Sequence, residues 1–467
     1  MTLIKSISGI RGTIGGKPGD GLSPLDIVKF ASAYGSWIAS TSSVAEGKKV
    51  TVVIGRDARL SGEMVNNIVC GTLVGLGINV IDLGLSTTPT VEIAVTELKA
   101  DGGIILTASH NPKQWNALKL LNNKGEFISD SEGKYILELA DKEDFTYAEV
   151  TKLGTYEQND SLLQLHIDKV LDLPYVDVDA ITKANFSVAV DAVNSSGGIV
   201  IPMLLEALGV KTIHKIHCEP TGHFAHNPEP LPEHLRDLSE AVVKTKSDVG
   251  ISVDPDVDRL ALVCEDGEMF GEEYTLVAVA DAVLQHHKGG NTVSNLSSTR
   301  ALRDVTEKMG GSYSASAVGE VNVVNMMKST NAIIGGEGNG GVILPEIHYG
   351  RDALVGVAIF LTHLAKFGKT TSMLRKSYPN YYISKNKIEL TPEIDVDKVL
   401  VNVKEKYAKQ PVNTVDGVKI EFDKEWVHLR KSNTEPIIRI YSESESVSTA
   451  DALAKKIIED IKEIIKR

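Results

Sequence analysis

From Val50 to Ile105 the chain alternates apolar runs rich in β-formers, VTVVI, NVIDL and GGIILTA, with a stretch from Ser61 to Leu76 whose apolar residues recur at three- and four-residue spacing. Short apolar runs predict strands and the longer spacing predicts a helix, so the segment reads as the βαβ pattern of a parallel sheet. A second unit runs from FSVAVDAVNSSGG into IVIPMLLEALGV and on to KTIHKI, and a third from NTVSNLSS through TRALRDVTEKMG to NAIIGGEGNGGVIL. Each places a small-residue loop after a strand, without a literal repeat of about 20–50 residues. The last hundred or so residues change character: VKIEFD, EWVHLRKS and IIRIYSES read as antiparallel strands. They are followed by a helix from Thr449, capped by Ser448, with Leu453, Ile457, Ile461, Ile464 and Ile465 on one face. Three α/β domains and a C-terminal α+β domain are expected, over residues 1–150, 151–266, 267–372 and 373–467.

The length, 467 residues, agrees with several domains, because single cores stop growing at about 250–300 residues. With 42% hydrophobic and 24% charged residues the chain is of ordinary globular composition, which excludes disorder for its bulk. Lys and Arg number 49 against 62 Asp and Glu, a net charge of −13, so no general attraction draws it to a polyanion and nucleic acid is not expected as a partner. A small anion would instead need a local cluster of Arg, Lys and backbone N–H groups. Cys70, Cys218 and Cys264 stand apart without a CxxC pair and read as reduced core thiols, which with a start (MTLIKSISGIRG) lacking a signal-peptide core points to the cytoplasm. The longest apolar run, around Val355 to Leu361, is far short of the roughly 20 residues of a membrane span, so no membrane association is expected.

Four segments carry chemistry. LTASHNP, Leu106 to Pro112, follows the apolar run GGIIL and puts Ser109 on an exposed turn where its hydroxyl can meet a ligand; by local chemistry alone a turn-capping serine reads as well. The glycines of a G-x-S-x-G hydrolase elbow are missing, which disfavours acyl transfer. DPDVDR, Asp254 to Arg259, lies between VGISV and LALVC. In extended backbone Asp254, Asp256 and Asp258 would project to one side and converge on a hard divalent cation, the other reading being a solvated acidic turn. An EF-hand is rejected, because position 6 is Arg259 rather than glycine and the flanks are strands. GGEGNGG, Gly335 to Gly341, reads by itself as a β-turn, although Glu337 and Asn339 on a glycine-rich loop can contact vicinal sugar hydroxyls. In RKSNTEPIIR, Arg430 and Arg439 bracket Ser432, Asn433 and Thr434, the makings of a phosphate cradle or else a surface charge pair with a turn. His166, His214, His217, His223, His226 and His234 lack metal spacing and read as structural or surface residues.

In this order the four segments suit phosphoryl transfer to and from a sugar, and TASHNP, DPDVDR, GGEGNGG and KSNTEP together resemble the signature loops of the α-D-phosphohexomutase superfamily across nearly the whole chain. Among its members the start ISGIRGTIGG most resembles bacterial phosphoglucosamine mutases, with archaeal-type hexomutases close behind. The sugar loop reads GEGNGG rather than GEQSGH or GEMSGH, and VGEVNV puts Glu320 where some relatives place histidine or aspartate. The resemblance implies a heart-shaped four-domain enzyme, a monomer or homodimer, acting on a phosphosugar. Ser109 would carry the phosphoryl group and, with Asp254, Asp256 and Asp258, hold Mg²⁺, while a hexose 1,6-bisphosphate would serve as activator. Arg11 and Arg259 would stabilise the transferring group, His110 would orient its neighbours, and Lys119 would be general acid or base, needing a pKa lowered by nearby cations to accept a proton near neutrality. Glucosamine 6-phosphate to 1-phosphate is the expected reaction, with a phosphomannomutase/phosphoglucomutase as the alternative. A sugar phosphatase and a non-catalytic sugar-phosphate binder are the competing classes.

Overall fold

The protein is described by a computed structural model covering residues 2–6, 9–42, 48–391, 394–431 and 437–465. The chain divides into two compact units, Met1–Thr275 with Asn339–Met373, and Leu276–Gly338 with Leu374–Arg467.

The first unit holds a seven-stranded sheet in the order Ile4–Ser6, Gly9–Thr13, Trp115–Leu121, Gly102–Leu106, Thr51–Arg56, Asn79–Leu85, Tyr156–Gln158. Thr51–Arg56 runs parallel to both of its neighbours, as the βαβ pattern implies, whereas Trp115–Leu121 returns antiparallel to Gly102–Leu106. Alternate residues serve opposite faces: Val52, Ile54, Ile104 and Leu106 enter one apolar cluster, Val53 and Ile105 another. Both faces are therefore covered, which is why these strands read as continuous apolar runs. The helix Pro24–Thr41 seals the first face with Phe30, Tyr34 and Trp37, starting at a reciprocal capping box between Ser23 and Asp26. A second sheet runs Leu260–Cys264, Val249–Val253, Ser187–Asp191, Thr212–Ile216, with its first pair antiparallel and the rest parallel.

In the second unit Thr292–Asn295 lies between Tyr313–Ser316 and Ile334–Glu337, parallel to both. A five-stranded antiparallel sheet follows, Tyr382–Glu389, Ile437–Ser444, Trp426–Lys431, Val418–Glu421, Val412–Asn413. Its three inner strands are those expected from sequence. The edge strand Tyr382–Glu389 was not, because seven of its eight side chains are not buried and its alternation carries little apolar signal. The closing helix spans Val447–Ile465 and buries Leu453, Ile457 and Ile461, with Ile464 and Ile465 at the margin of the core. Its cap is two residues earlier than expected: Ser446 Oγ accepts the Thr449 N–H at 3.2 Å while Thr449 Oγ1 accepts the Ser446 N–H at 3.2 Å, and Ser448 lies inside the first turn.

Candidate active site

Ser109 stands three residues beyond the strand Gly102–Leu106. Its φ is +48°, a left-handed conformation that a β-carbon disfavours, so neighbouring bonds must hold it there. Its N–H donates to Thr107 Oγ1 at 2.9 Å, and the Thr107 hydroxyl donates to Asp57 at 2.7 Å. The Ser109 hydroxyl donates to Asp254 Oδ2 at 2.8 Å, and His110 Nδ1 lies 3.4 Å from Ser109 Oγ.

The aspartates occupy the turn between two antiparallel strands that close with Val253 opposite Leu260. The expectation of extended backbone is corrected here. Val257 adopts φ +62°, and Asp254 Oδ1 accepts the N–H groups of Asp258 and Arg259, each at 3.1 Å. Convergence comes from this tight, self-bonded turn rather than from strand alternation. Asp254, Asp256 and Asp258 are all buried, with carboxylate oxygens within 4.8 Å of one another. Asp256 Oδ2 receives Lys119 Nζ at 2.7 Å and Thr88 Oγ1 at 2.6 Å. Asp258 Oδ2 receives Arg351 Nη2 at 2.7 Å, with Lys119 Nζ 3.7 Å away.

Burial, then Asp258 and Asp256, push the Asp254 carboxyl well above the usual range. Burial would also raise Asp256, but Lys119 outweighs it and holds that carboxyl low. The lowered pKa that Lys119 would need as a base is not what its surroundings give. Burial disfavours its charge, yet Asp256 and Asp258 hold its pKa above the ordinary lysine value, so the side chain is an ammonium ion. His110 is neutral at physiological pH, its pKa lowered to about 3 by burial and then by Arg259 and Arg351. Asp256 Oδ1 and Asp258 Oδ1 are buried without a hydrogen-bond partner among the described residues. Three converging carboxylates with two orphaned oxygens fit a hard divalent cation.

Arg11, in the strand Gly9–Thr13, pairs with Ala117, two residues from Lys119, and Arg259 lies 3.9 Å from Glu229. The Nε groups of Arg11 and Arg259 are both buried without a hydrogen-bond partner among the described residues, which leaves them suited to an anion. Two arginines that no motif singled out also belong here. Arg351 contacts Asp258 directly, and Arg59 is buried beneath the Ser109 loop.

The second unit holds the remaining candidates, apart from Asn339. Glu337 ends its strand buried, with Oε1 accepting Asn295 Nδ2 at 2.9 Å and the Gly319 N–H at 3.1 Å. Glu320 opens the helix just before that strand, Glu320–Thr330. Asn339 Oδ1 is turned back on the Gly341 N–H at 3.2 Å, so that oxygen stabilises the turn. Arg430 and Arg439 are directly paired across two antiparallel strands, which sets two cations side by side, and Arg430 Nε meets Asp416 at 2.7 Å. Ser432, Asn433 and Thr434 lie outside the described residues. His166 is buried between Thr90 and Asp352, a structural role as expected.

The comparisons with known proteins agree with this picture. Four families match in succession, described as phosphoglucomutase/phosphomannomutase alpha/beta/alpha domain I over residues 3–147, domain II over 164–267, domain III over 271–382, and the C-terminal domain over 391–460. A phosphoglucomutase/phosphomannomutase of Thermococcus kodakarensis is 35% identical, the match covering 97% of this chain and 99% of that one. A phosphoglucosamine/phosphogalactosamine mutase of Sulfurisphaera tokodaii is 32% identical over 97% of this chain and 98% of that one. A crystal structure of a phosphoglucomutase/phosphomannomutase family protein from Burkholderia thailandensis superposes with a TM-score of 0.85 at 25% identity, covering 99% of this chain and 98% of that one. Among the described residues no helix is long and apolar enough to cross a membrane. With all four domain families matched in order along one chain, the protein belongs to the phosphoglucomutase/phosphomannomutase family of the α-D-phosphohexomutase superfamily and is a phosphosugar mutase.

Proposed function

We propose that the enzyme interconverts the 6- and 1-phosphates of a hexose through a phosphorylated Ser109, with glucosamine phosphate as preferred substrate. The observation that carries this reading is the Ser109 hydroxyl held 2.8 Å from Asp254, at the edge of a buried three-carboxylate cluster. In the first half-reaction the bond from phosphorus to Ser109 Oγ breaks as the sugar's free hydroxyl oxygen bonds to phosphorus. The hydroxyl gives up its proton and Ser109 Oγ regains one. The resulting 1,6-bisphosphate turns around, and its other phosphoryl group returns to Ser109 with the same bonds exchanged.

Asp254, Asp256 and Asp258, with Ser109, are the residues that would hold Mg²⁺, which neutralises charge on the transferring group. Lys119 serves as a fixed positive charge beside the transferring group rather than as a base, given the two carboxylates that keep it protonated. Arg11 and Arg259 act on the phosphoryl oxygens, and neutral His110 orients the serine oxygen beside it. Glu337 and Asn339 grip sugar hydroxyls, and Arg430, Ser432, Asn433, Thr434 and Arg439 hold the phosphate that is not reacting. The four domains are assigned to residues 1–150, 151–266, 267–372 and 373–467.

The preference for glucosamine rests on relatives named for that substrate, while the 35% identical Thermococcus relative favours glucose and mannose phosphates as the second reading. The test is catalytic efficiency on glucosamine, glucose and mannose phosphates side by side, with Mg²⁺ and a trace of hexose 1,6-bisphosphate. At least a tenfold preference for glucosamine phosphate, about 1.4 kcal/mol of transition-state binding, is expected. Equal or better rates on mannose or glucose phosphate would establish the second reading. On every substrate Ser109→Ala should lose roughly 10³-fold or more in kcat.

A further inference from the structure

The fully buried Arg59 spends both terminal nitrogens of its guanidinium on the segment from Ser109 to Trp115, and its Nε on Asp57. Nε donates to Asp57 Oδ2 at 2.9 Å. Nη1 donates to the carbonyls of Pro112, at 2.8 Å, and Trp115, at 3.0 Å. Nη2 donates to the carbonyl of Asn111 at 2.8 Å and to that of Ser109 itself. Five N–H groups thus meet five oxygens, and the fork geometry that does this is available to arginine and not to lysine. Asp57 completes the frame: its Oδ1 accepts the Arg59 N–H at 2.9 Å and its Oδ2 accepts the Thr107 hydroxyl, which in turn accepts the Ser109 N–H. Both backbone polar groups of Ser109, the residue in the disfavoured left-handed conformation, therefore end on Asp57 and Arg59.

The intervening residue joins this frame to the aspartate turn. The Ala58 N–H donates to Ser195 Oγ at 3.2 Å, and the buried Ser195 hydroxyl donates to the Pro255 carbonyl, between Asp254 and Asp256, at 2.8 Å. One three-residue segment, Asp57 to Arg59, thus anchors both partners of the Ser109–Asp254 contact. Phe224 covers the guanidinium, its ring centroid 5.2 Å away. Gly222 presses so close that a β-carbon there would lie 2.0 Å from the Ala58 carbonyl oxygen, which leaves the segment no room to shift.

We propose that Arg59 is a positioning residue for phosphoryl transfer: acting with Asp57 and through Ser195, it fixes Ser109 Oγ at its working distance from the aspartate turn. This rests on Ser109 as the phosphoryl carrier. A carrier displaced by about 1 Å loses on the order of a hundredfold in rate without losing its ligand.

The test compares wild type, Arg59→Lys, Ser195→Ala and Ser109→Ala, each confirmed folded by near-ultraviolet circular dichroism and assayed well below its melting point. Arg59→Lys should lower kcat about a hundredfold while KM for the phosphosugar stays within about threefold of wild type. Transfer of label from ³²P hexose 1,6-bisphosphate to Ser109 should slow by the same factor as kcat. Should Arg59→Lys fail to fold, Ser195→Ala decides, with about a tenfold loss of kcat at unchanged KM expected. A folded Arg59→Lys with wild-type kcat, a loss carried by KM instead, or, where Ser195→Ala decides, wild-type turnover by that variant would overturn the proposal. If Ser109→Ala is inactive while Arg59→Lys turns over normally, only the positioning role falls. If Ser109→Ala itself turns over normally, the phosphoserine reading falls and the positioning role falls with it.

Discussion

At the scale of single residues the site is governed by three buried carboxylates and the cations set against them. Lys119 and Arg351 each bond one carboxylate, and the Ser109 hydroxyl bonds the third. Three carboxylates crowded together out of water, with Lys119 and Arg351 bonded to only two of them, leave Asp254 with an ionised form that burial and its two neighbours disfavour. A divalent cation on the orphaned oxygens of Asp256 and Asp258 would offset this, and its binding energy would add to folding stability. Chelation should therefore stop turnover and also lower the melting temperature in calorimetry, with both restored by Mg²⁺. A melting temperature unmoved by chelation and by added Mg²⁺ would show that the cluster is held without a cation. The residues of this cluster were legible to different degrees. Ser109 and the three aspartates stand in compact motifs, whereas Arg59 and Arg351 reach them from 50 and 93 positions away in sequence, and no local pattern marks either. The charge state of Lys119 is not legible locally for a related reason: its nearest partners, Asp256 and Asp258, lie more than a hundred residues along the chain.

At the scale of elements, three helices of the first unit are tied together by a buried polar cluster. Asp352 caps the helix Ala353–Phe367, with Oδ1 accepting the N–H groups of Leu354 and Val355. Its Oδ2 meets His166 Nε2, from the helix Leu162–Leu171, at 2.8 Å and His348 Nε2 at 3.0 Å. His348 Nδ1 lies 2.9 Å from Glu92, on the helix Thr88–Glu97 that begins at the Asp256 partner Thr88. Burial disfavours a charge on His348, but Asp352 and Glu92 outweigh it and raise its pKa from 6.5 to about 10. The protonated imidazole is thus favoured more in the folded chain than in the unfolded one. Its contribution to stability is complete below about pH 6.5 and is lost as pH rises towards 10. The urea midpoint of the wild type should fall between pH 7 and 10, and His348→Asn should flatten that part of the profile. Parallel profiles for the two proteins would contradict the assignment. Only His348 and Asp352 are neighbours in sequence, four residues apart, and tertiary packing brings Glu92 and His166 to them. The helices themselves were readable where an apolar stripe faces a core, as in Val447–Ile465, and the strand Tyr382–Glu389 was missed because an exposed edge strand carries no such stripe.

At the scale of the whole molecule, the four chemistry-bearing loops follow one another along the chain as the four matched domain families do, and that order made the family readable where each loop alone was ambiguous. The unit boundaries were less readable. Residues Asn339–Met373 pack with the first unit although the residues just before them belong to the second, a crossing that no linker composition announces. An acidic chain of net charge −13 that handles anionic substrates must hold its cations in local sets. Lys119 and Arg351 form one such set, and the cross-strand pair Arg430 and Arg439 forms another. A choice between glucosamine and glucose phosphates has no equivalent local signature, because one amino group in place of a hydroxyl changes few contacts. What all these assignments share is a phosphoryl group carried on Ser109. The most direct test is to mix the enzyme with ³²P-labelled hexose 1,6-bisphosphate, quench within one turnover, and map the label by peptide sequencing. The account predicts label on the peptide containing Ser109, formed as fast as turnover and absent from Ser109→Ala. Label on another residue, or a fully active enzyme that never becomes labelled, would contradict it.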